Sequence, residues 1–371
     1  MDKLLGACVL IFGALSLAPQ STNVEQLFKD AVAAEQRGDD AIAVRLYREI
    51  LQSHPEATVV RANLGATYAH LRQFDAAIQQ YRRVLSVDPT NRPVRLNLAL
   101  AYEGKRDFAL AALELQRLHK AEPQDPQAAI LLGDCYSRLG RYANAIAVLE
   151  PIEASQPEDP DLAWLLGSAL IAVGRAEDGL QRIDKVAKTT SSADAYLLAG
   201  QTRLALTQYD LARANADAAM RLDPKLAGLQ TLNGMILEHV GDYPAAESAL
   251  RLALEANPQD FNAHFYLGAV LYFRRDLPDA HEHLEKALEL RPASSQARYE
   301  LALVLRASGD LNGALHELET VERQAPDWLQ PHIELSALFY RLNRPEDGAK
   351  EREIVDRLTA EHRGPALGPT P

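Results

Sequence analysis

Eight prolines at nearly constant spacing constrain the fold of this chain more than any other feature. They are Pro55, Pro89, Pro123, Pro157, Pro224, Pro258, Pro292 and Pro326, and successive members lie 34 residues apart except across one gap of 67 residues. Proline cannot continue a helix because it lacks the backbone N–H and fixes φ. A period of this length indicates a repeat architecture in which each repeat is one supersecondary unit. A repeat of 33 residues that carries Ser191 in place of proline fills the gap.

Counting back from the prolines divides residues 22–362 into ten repeats with small side chains at two fixed positions. The repeats are 24–57, 58–91, 92–125, 126–159, 160–192, 193–226, 227–260, 261–294, 295–328 and 329–362. Position 8 holds Ala31, Gly65, Ala99, Gly133, Gly167, Gly200, Gly234, Gly268, Ala302 and Ser336. Position 20 holds Ala43, Ala77, Ala111, Ala145, Gly179, Ala212, Ala246, Ala280, Ala314 and Gly348. Because helices approach closely only where side chains are small, we predict one helical hairpin per repeat, with its contact at these positions.

A single hairpin cannot bury its apolar face, so neighbouring repeats must stack. We therefore predict an all-α fold, an α-solenoid of antiparallel helix hairpins over residues 22–362. Two irregularities are expected. Pro151 falls inside the second helix of the fourth repeat and should shorten or kink it. Residues 186–193 are interpreted either as a bend between two half-arrays or as an ordinary irregular turn.

The repeat pattern resembles the tetratricopeptide repeat family. The resemblance rests on the 34-residue period, the small residues at positions 8 and 20, proline at position 32, and Tyr68, Tyr102 and Tyr136 at position 11. It covers residues 24–362. It implies a right-handed superhelix whose first helices line a concave groove that binds a protein or peptide. The carboxylate clamp of some members, Lys at position 5 with Asn at position 9, is absent, since Phe28 and Val32 hold those positions in the first repeat.

The first 21 residues read as a signal peptide or N-terminal anchor. Lys3 precedes an apolar run from Leu4 to Leu17, which suits a secretory segment better than a membrane span. We therefore expect an exported protein, periplasmic or extracellular, with any membrane association made through this segment alone. Cleavage, retention and lipidation at Cys8 stay open. Residues 363–371 are expected to form a disordered tail.

Composition and motifs argue against several classes of function. The net charge of −12 disfavours nucleic-acid binding, which needs a basic face. No P-loop, GxSxG or HExxH motif is present, so we predict a protein that is not an enzyme and has no cofactor or metal. His281 and Glu285 share a helix face, and we interpret them as a solvated surface. Cys135 is interpreted as a small buried hydrophobe.

The candidate binding residues lie on the first helices of the last three repeats. Positions 5, 9 and 12 form one stripe of each first helix, and the family resemblance directs this stripe into the groove. The predicted partner-binding residues are Phe265, Tyr272, Phe273, Tyr299, Arg306, Tyr340 and Arg341. Aromatic rings give rigid contact area, and an acidic group of the ligand would meet Arg306 or Arg341. The alternative is that these side chains pack against the next repeat or one another.

These observations favour a non-catalytic scaffold or adaptor that binds a peptide or helix of another protein in its groove. We expect the chain to be a monomer. Two alternatives remain: a subunit that recognises substrates or assists assembly for an envelope enzyme or polysaccharide export complex, and a self-assembling structural protein. The charged last helix disfavours end-to-end stacking.

Overall fold

The structure, a computed structural model, describes residues 22–363. The predicted leader of residues 1–21, with Cys8, lies outside the described residues, as do residues 364–371 of the predicted tail. Among the described helices, none has the length and apolar character that crossing a bilayer requires. The contacts between Cα atoms divide the chain into two compact units, here called the N-terminal half and the C-terminal half, at the junction of Thr190 and Ser191.

The N-terminal half contains ten α-helices among its described residues. They are α1 Thr22–Gln36, α2 Asp40–Ser53, α3 Thr58–His70, α4 Phe74–Val87, α5 Arg92–Gly104, α6 Phe108–Ala121, α7 Pro126–Arg138, α8 Tyr142–Leu149, α9 Pro160–Ala172 and α10 Ala176–Thr190. Each odd-numbered helix packs against the even-numbered helix that follows it, and each hairpin packs against the next one. This arrangement is a stack of antiparallel hairpins.

The C-terminal half repeats the arrangement with ten further helices in its described part. They are α11 Ala193–Ala205, α12 Tyr209–Leu222, α13 Leu229–His239, α14 Tyr243–Ala256, α15 Phe261–Phe273, α16 Leu277–Leu290, α17 Ser295–Ser308, α18 Leu311–Gln324, α19 Leu329–Arg341 and α20 Pro345–Arg363. No strand occurs between residues 22 and 363. The prediction of an all-α solenoid of helix hairpins is confirmed for each half.

Small residues do lie where the two helices of a hairpin meet. A Cβ atom built on Gly268 would approach Cγ of Leu284 to 2.6 Å, and one built on Gly179 would approach the carbonyl oxygen of Gly167 to 2.6 Å. Ala246 at position 20 has no exposed surface. Separations this short are below ordinary van der Waals contact, so a larger side chain at these points would force the helices apart.

Both predicted irregularities have a local physical cause. Helix α8 ends at Leu149, and a 3₁₀ turn from Glu150 to Ser155 follows it, so the predicted effect of Pro151 is confirmed. At the other site, α10 runs on to Thr190, and Ser191 has a φ of 51°. Proline cannot adopt positive φ, which explains why this repeat lacks its proline. The predicted bend at residues 186–193 stays a prediction.

The turn between the two helices of each repeat uses one left-handed residue, always at position 15. These residues are Gly38, Arg72, Arg106, Gly140, Gly174, Thr207, Gly241, Arg275, Gly309 and Asn343, with φ between 58° and 93°. Glycine adopts this conformation without cost, whereas Thr207 and the arginines are strained in it. The turn geometry is therefore imposed by the packing of the hairpin and is kept even where the local sequence opposes it.

A recurring polar link joins each of five repeats to the one before it. A side chain at position 4 contacts the side chain at position 23 of its own repeat and the carbonyl of the preceding position-32 proline. The position-4 side chains are Arg61, Arg95, His264, Arg298 and His332, which face Gln80, Glu114, His283, Glu317 and Glu351 and the carbonyls of Pro55, Pro89, Pro258, Pro292 and Pro326. The link satisfies a carbonyl that the proline leaves outside any helix.

Candidate partner-binding groove

The first helices of the sixth, seventh and eighth repeats enclose a cavity of about 540 Å³ in the C-terminal half. It is called the α11–α15 groove here. Its lining residues are Gln201, Leu204, Ala205, Thr207, Tyr209, Gly228, Thr231, Leu232, Met235, His239, Asp260, Asn262 and Tyr266. Apolar and polar side chains both line this surface, as in sites that bind part of another molecule.

The start of α15, which borders the groove, is held by a side-chain cap. Asp260 precedes α15 and accepts hydrogen bonds from the backbone N–H groups of Asn262 at 2.9 Å and Ala263 at 3.2 Å. An aspartate at this position caps a helix because its carboxylate satisfies donors that the first turn leaves free. The same carboxylate accepts the Thr231 hydroxyl at 2.6 Å. Asp260 therefore ties α13 to the start of α15 and fixes one wall of the groove.

A row of aromatic rings runs along the groove and beyond it. The imidazole of His239 lies 5.2 Å from the ring of Tyr209 and 6.1 Å from that of Tyr266, measured between ring centroids. Tyr266 meets Phe265 edge to face at 5.0 Å, and Phe265 stacks on Phe261 at 6.0 Å. Such rings present a rigid apolar surface at a low cost in conformational entropy.

Two acidic residues lie close to this row of rings. Burial raises the pKa of Glu238, and His239 beside it, at 2.8 Å, opposes that rise. Burial and then the negative charge of Glu238 raise the pKa of Glu300 to about 7. Burial, with Glu238 and Tyr209, also raises the pKa of the Tyr266 phenol. Glu238 and Glu300 are thus carboxyl groups near the rings that burial makes harder to ionise.

The structure brings only part of the predicted binding residues together. Phe265 belongs to the row of rings, and Tyr272 meets Phe273 edge to face at 5.8 Å. Tyr299 packs against Trp328 at 4.9 Å, and burial raises its pKa to about 12. These contacts support, for Tyr299 at least, the alternative that the rings pack on their neighbours.

Phe273 and Tyr340 are the most exposed of the predicted aromatic residues and pack against second helices. Phe273 is 54% exposed and stacks on Tyr243 of α14 at 5.0 Å. Tyr340 is 49% exposed, and its ring lies against Gly348 of α20. Both residues therefore lie against α14 or α20 instead of joining the row that contains Phe265.

The two predicted arginines differ in their surroundings. Arg306 forms an ion pair with Glu334, and both side chains are half-buried. An acidic group of a ligand would therefore compete with Glu334 for the Arg306 guanidinium. Arg341 is exposed at the end of α19. The seven residues as a partner-binding site stay a prediction.

The groove lies on the stripe of positions 5, 9 and 12 that sequence reasoning used, but in the sixth and seventh repeats, where Gln201, Thr231 and Met235 are not aromatic and gave no signal. Position 6 carries a further signal, since the second to seventh repeats have Asn or Leu there and the eighth has Tyr266, which lines the groove. His239 at position 13 also lines the groove, beside Glu238.

Two other candidates from the sequence have ordinary surroundings. Cys135 is fully buried and donates its thiol proton to Glu103 at 3.2 Å. Burial and the charge of Glu103 raise the pKa of the thiol, so it is an unreactive group. His281 Nδ1 lies 3.5 Å from Glu285 Oε2 on the exposed face of α16. This pair is typical of a solvated helix surface.

The hairpin stack and its groove define a repeat-protein scaffold of the kind that binds other proteins along an extended surface. Tetratricopeptide repeat models match residues 28–92 and 231–275, and residues 70–135 and 274–339, which together exceed half of the chain. The chain belongs to the tetratricopeptide repeat family. A model described as anaphase-promoting complex, cyclosome, subunit 3 matches residues 104–186. No curated protein sequence matches the chain.

Solved structures show the same fold at low sequence identity. The APC/C hetero-tetramer Cut9–Hcn1 matches with a TM-score of 0.56 and 13% identity, over 96% of this chain and 77% of that chain. A tetratricopeptide repeat protein from Parabacteroides merdae matches with a TM-score of 0.51 and 13% identity, over 71% of this chain and 97% of that one. MamA from Desulfovibrio magneticus has 22% identity and a TM-score of 0.42, over 47% of this chain and 97% of that chain.

Proposed function

We propose that this protein is a non-catalytic scaffold that binds a segment of a partner protein in the α11–α15 groove. One observation carries the proposal: a cavity of about 540 Å³ that first helices and a row of aromatic rings enclose. Family membership supports protein binding in general, because stacked hairpins present an extended concave surface. Phe265 and Tyr272 would continue the binding surface along the eighth repeat. The protein acts as a monomer in this proposal.

The place of action that we propose is the cell envelope. The apolar segment from Leu4 to Leu17, preceded by Lys3, supports export of the chain. Fusion of residues 1–30 to a reporter that is active only outside the cytoplasm tests this part independently of binding. An inactive reporter in cells that produce the full fusion would contradict it.

The binding site is tested by site-specific photo-cross-linking. A photoreactive amino acid replaces Met235 inside the groove, and in a second variant it replaces Val87, which is 73% exposed in the N-terminal half. A partner segment that cross-links to position 235 and not to position 87 is identified by mass spectrometry and synthesised as a peptide. The affinity of the purified full chain for that peptide is then measured.

The affinity measurement compares Tyr266→Ala with a matched aromatic control. We expect Tyr266→Ala to weaken peptide binding by about 2 kcal/mol, roughly thirtyfold, as for a central aromatic anchor. Trp164→Ala, on the half-buried face of α9, should leave the affinity unchanged. Equal affinity of the wild type and Tyr266→Ala would overturn the assignment of the groove.

A second candidate function is that of a subunit in a larger protein assembly. The match of residues 104–186 to a family described as a subunit of the anaphase-promoting complex favours it. In that case the chain would purify from its native cells in a stable complex of defined mass. A chain that elutes alone and exchanges its partners rapidly would contradict this candidate.

A further inference from the structure

Three side chains with metal-binding atoms converge where the last three helices of the C-terminal half meet. Glu322 of α18, His332 of α19 and Glu351 of α20 each offer one ligand atom, and these atoms all lie within 4.8 Å of one another. His332 is 1% exposed and Glu351 is 7% exposed, while Glu322 is half-buried. The cluster lies apart from the groove, and the proposed binding function does not use it.

The hydrogen bonds of His332 determine which of its nitrogens can face a ligand. Its Nε2 lies 2.8 Å from the carbonyl oxygen of Pro326. A carbonyl only accepts, so Nε2 carries the proton and donates it. Nδ1 is then directed at Glu351, with Oε2 at 2.7 Å. A histidine that binds a metal is held in the same way, since its second nitrogen donates to a carbonyl or carboxylate that fixes the ring.

The tenth repeat differs from the ninth at two points around this link. In the ninth repeat the same link consists of Arg298 and Glu317, which form a permanent ion pair at 2.6 Å. The tenth repeat has His332 in place of arginine, and imidazole can bind a metal where guanidinium cannot. Position 28 of the preceding repeat is Leu51, Leu85, Leu254 or Leu288 in four earlier cases and Glu322 here.

In the eighth repeat, a leucine lies at the place that corresponds to Glu322. There the cavity beside His264 and His283 has a volume of about 480 Å³, and Leu254 lines it where Glu322 lies in the later repeat. The apolar side chain completes the packing and offers no ligand atom. Glu322 is therefore a carboxylate at a packing position, and packing alone does not account for it.

Charge balance favours a divalent cation between the three groups. A divalent ion bound by two carboxylates and a neutral imidazole leaves no net charge. Buried charges are stable when they are paired or bound to a metal. The mixture of one nitrogen and two oxygen donors suits Zn²⁺, which four-coordinate sites bind at about 2.0–2.2 Å from each atom.

We propose that Glu322, His332 and Glu351 form a binding site for one divalent transition-metal ion, with Zn²⁺ as the ion that its donors fit. Water completes the coordination from the half-buried side of Glu322. The ion joins α18 and α19 to the terminal helix α20, so it stabilises the end of the array. Its binding is independent of any protein partner.

The test is zinc titration of the full-length, untagged and metal-stripped protein by calorimetry. Two variants restore what other repeats contain: Glu322→Leu, as at position 254, and His332→Arg, as at position 298. His264→Arg is the matched control, since it removes an imidazole from the equivalent place two repeats earlier. Thermal unfolding without metal establishes that all three variants are folded.

We expect the wild type and His264→Arg to bind one Zn²⁺ at micromolar concentration and to gain thermal stability with it. Glu322→Leu and His332→Arg should each bind more than about a hundredfold more weakly, because each lacks a direct ligand. With Co²⁺ as a second probe, the wild type should show the visible absorption of a four-coordinate site. Absence of zinc uptake by the wild type, or equal uptake by Glu322→Leu, would overturn the proposal.

Discussion

Both halves of the molecule have a glutamate at position 12 of some first helices, but its hydrogen-bond partners differ between the halves. In the N-terminal half, Glu35 accepts the Tyr47 hydroxyl at 3.0 Å and lies 3.1 Å from the Thr67 hydroxyl. Glu103 accepts the thiol proton of Cys135 in the same way. Thr67 and Cys135 both occupy position 10 of the next repeat.

The C-terminal half has no donor at the corresponding place. Position 10 of the repeat after Glu238 is Val270, which is fully buried and apolar. Glu238 pairs instead with its neighbour His239, which lines the α11–α15 groove. A single difference, a donor in one half and an apolar residue in the other, thus decides whether the carboxylate pairs across the repeat interface or with His239 of the α11–α15 groove.

Overpacking of a hairpin contact is expected to have the largest effect. It tests whether the two halves are packed alike beneath the glutamates. Ala77→Leu in the N-terminal half and Ala246→Leu in the C-terminal half should each lower the free energy of unfolding by roughly 1–3 kcal/mol. Both alanines have no exposed surface at a hairpin contact. Urea unfolding measures the change. Tolerance of Ala246→Leu alone would mean that the C-terminal half is packed more loosely.

Removal of the charge at Glu300 should stabilise the protein at neutral and higher pH. Its pKa of about 7 lies above the ordinary 4.5, so the folded state binds more protons than the unfolded state between these values. The contribution of Glu300 to stability is therefore fully present below about pH 4.5 and is lost as the pH rises through about 7. At about pH 8, Glu300→Gln should raise the free energy of unfolding by about 2 kcal/mol.

The pH profile of unfolding supplies the check on this prediction. Glu103→Gln is the matched variant in the N-terminal half, because burial raises the pKa of Glu103 to about 7 as well. Both variants should flatten the fall in stability between about pH 5 and pH 8. A wild-type profile that rises over this range would contradict the assigned direction of both pKa shifts.

Substitutions at position 10 test most directly whether this residue causes the difference between the halves. Thr67→Val should destabilise the N-terminal half by about 1 kcal/mol, because Glu35 loses a hydroxyl partner. Val270→Thr should lower the raised pKa of Glu238, because the new hydroxyl can donate to its carboxylate. NMR titration of the glutamate side chains measures the second effect. If neither substitution alters its neighbouring glutamate, position 10 does not explain the difference between the halves.

The smallest expected effect concerns the polar link between repeats. Burial, then His264 at 3.0 Å, and then Arg251 lower the pKa of His283. The unfolded state therefore binds more protons than the folded state between the lowered pKa and about pH 6.5. The stability that neutral His283 contributes is fully present above about pH 6.5 and is lost as the pH falls through the lowered pKa. Asp279 and Glu282 oppose the shift.

The variant His283→Glu should reverse the sign of this pH dependence. Its free energy of unfolding should change by about 1 kcal/mol relative to the wild type as the pH falls. A carboxylate facing His264 favours the imidazolium, as in the ion-paired links of Arg95 with Glu114 and Arg298 with Glu317. Stability between about pH 8 and pH 5.5 would then rise relative to the wild type. Parallel unfolding profiles of the two proteins would show that His283 does not titrate in this way.

Much of the fold was predictable because it repeats. The proline period, the small residues at positions 8 and 20 and the effect of Pro151 are local signals, and each acts within one or two repeats. The candidate groove was less predictable. Arg306 is polar in the sequence, yet Glu334, 28 residues away, pairs with it. Pairings between repeats depend on the exact stacking, which the period alone does not specify.

The spacing of small residues and prolines therefore predicts a stack of helical hairpins, because both residue types act through local steric contacts. Three-dimensional packing alone places the cavity between α11 and α15 and brings Glu322, His332 and Glu351 together. Those sites combine side chains from three consecutive helices or repeats, and each contributes only through the distance and burial that packing creates.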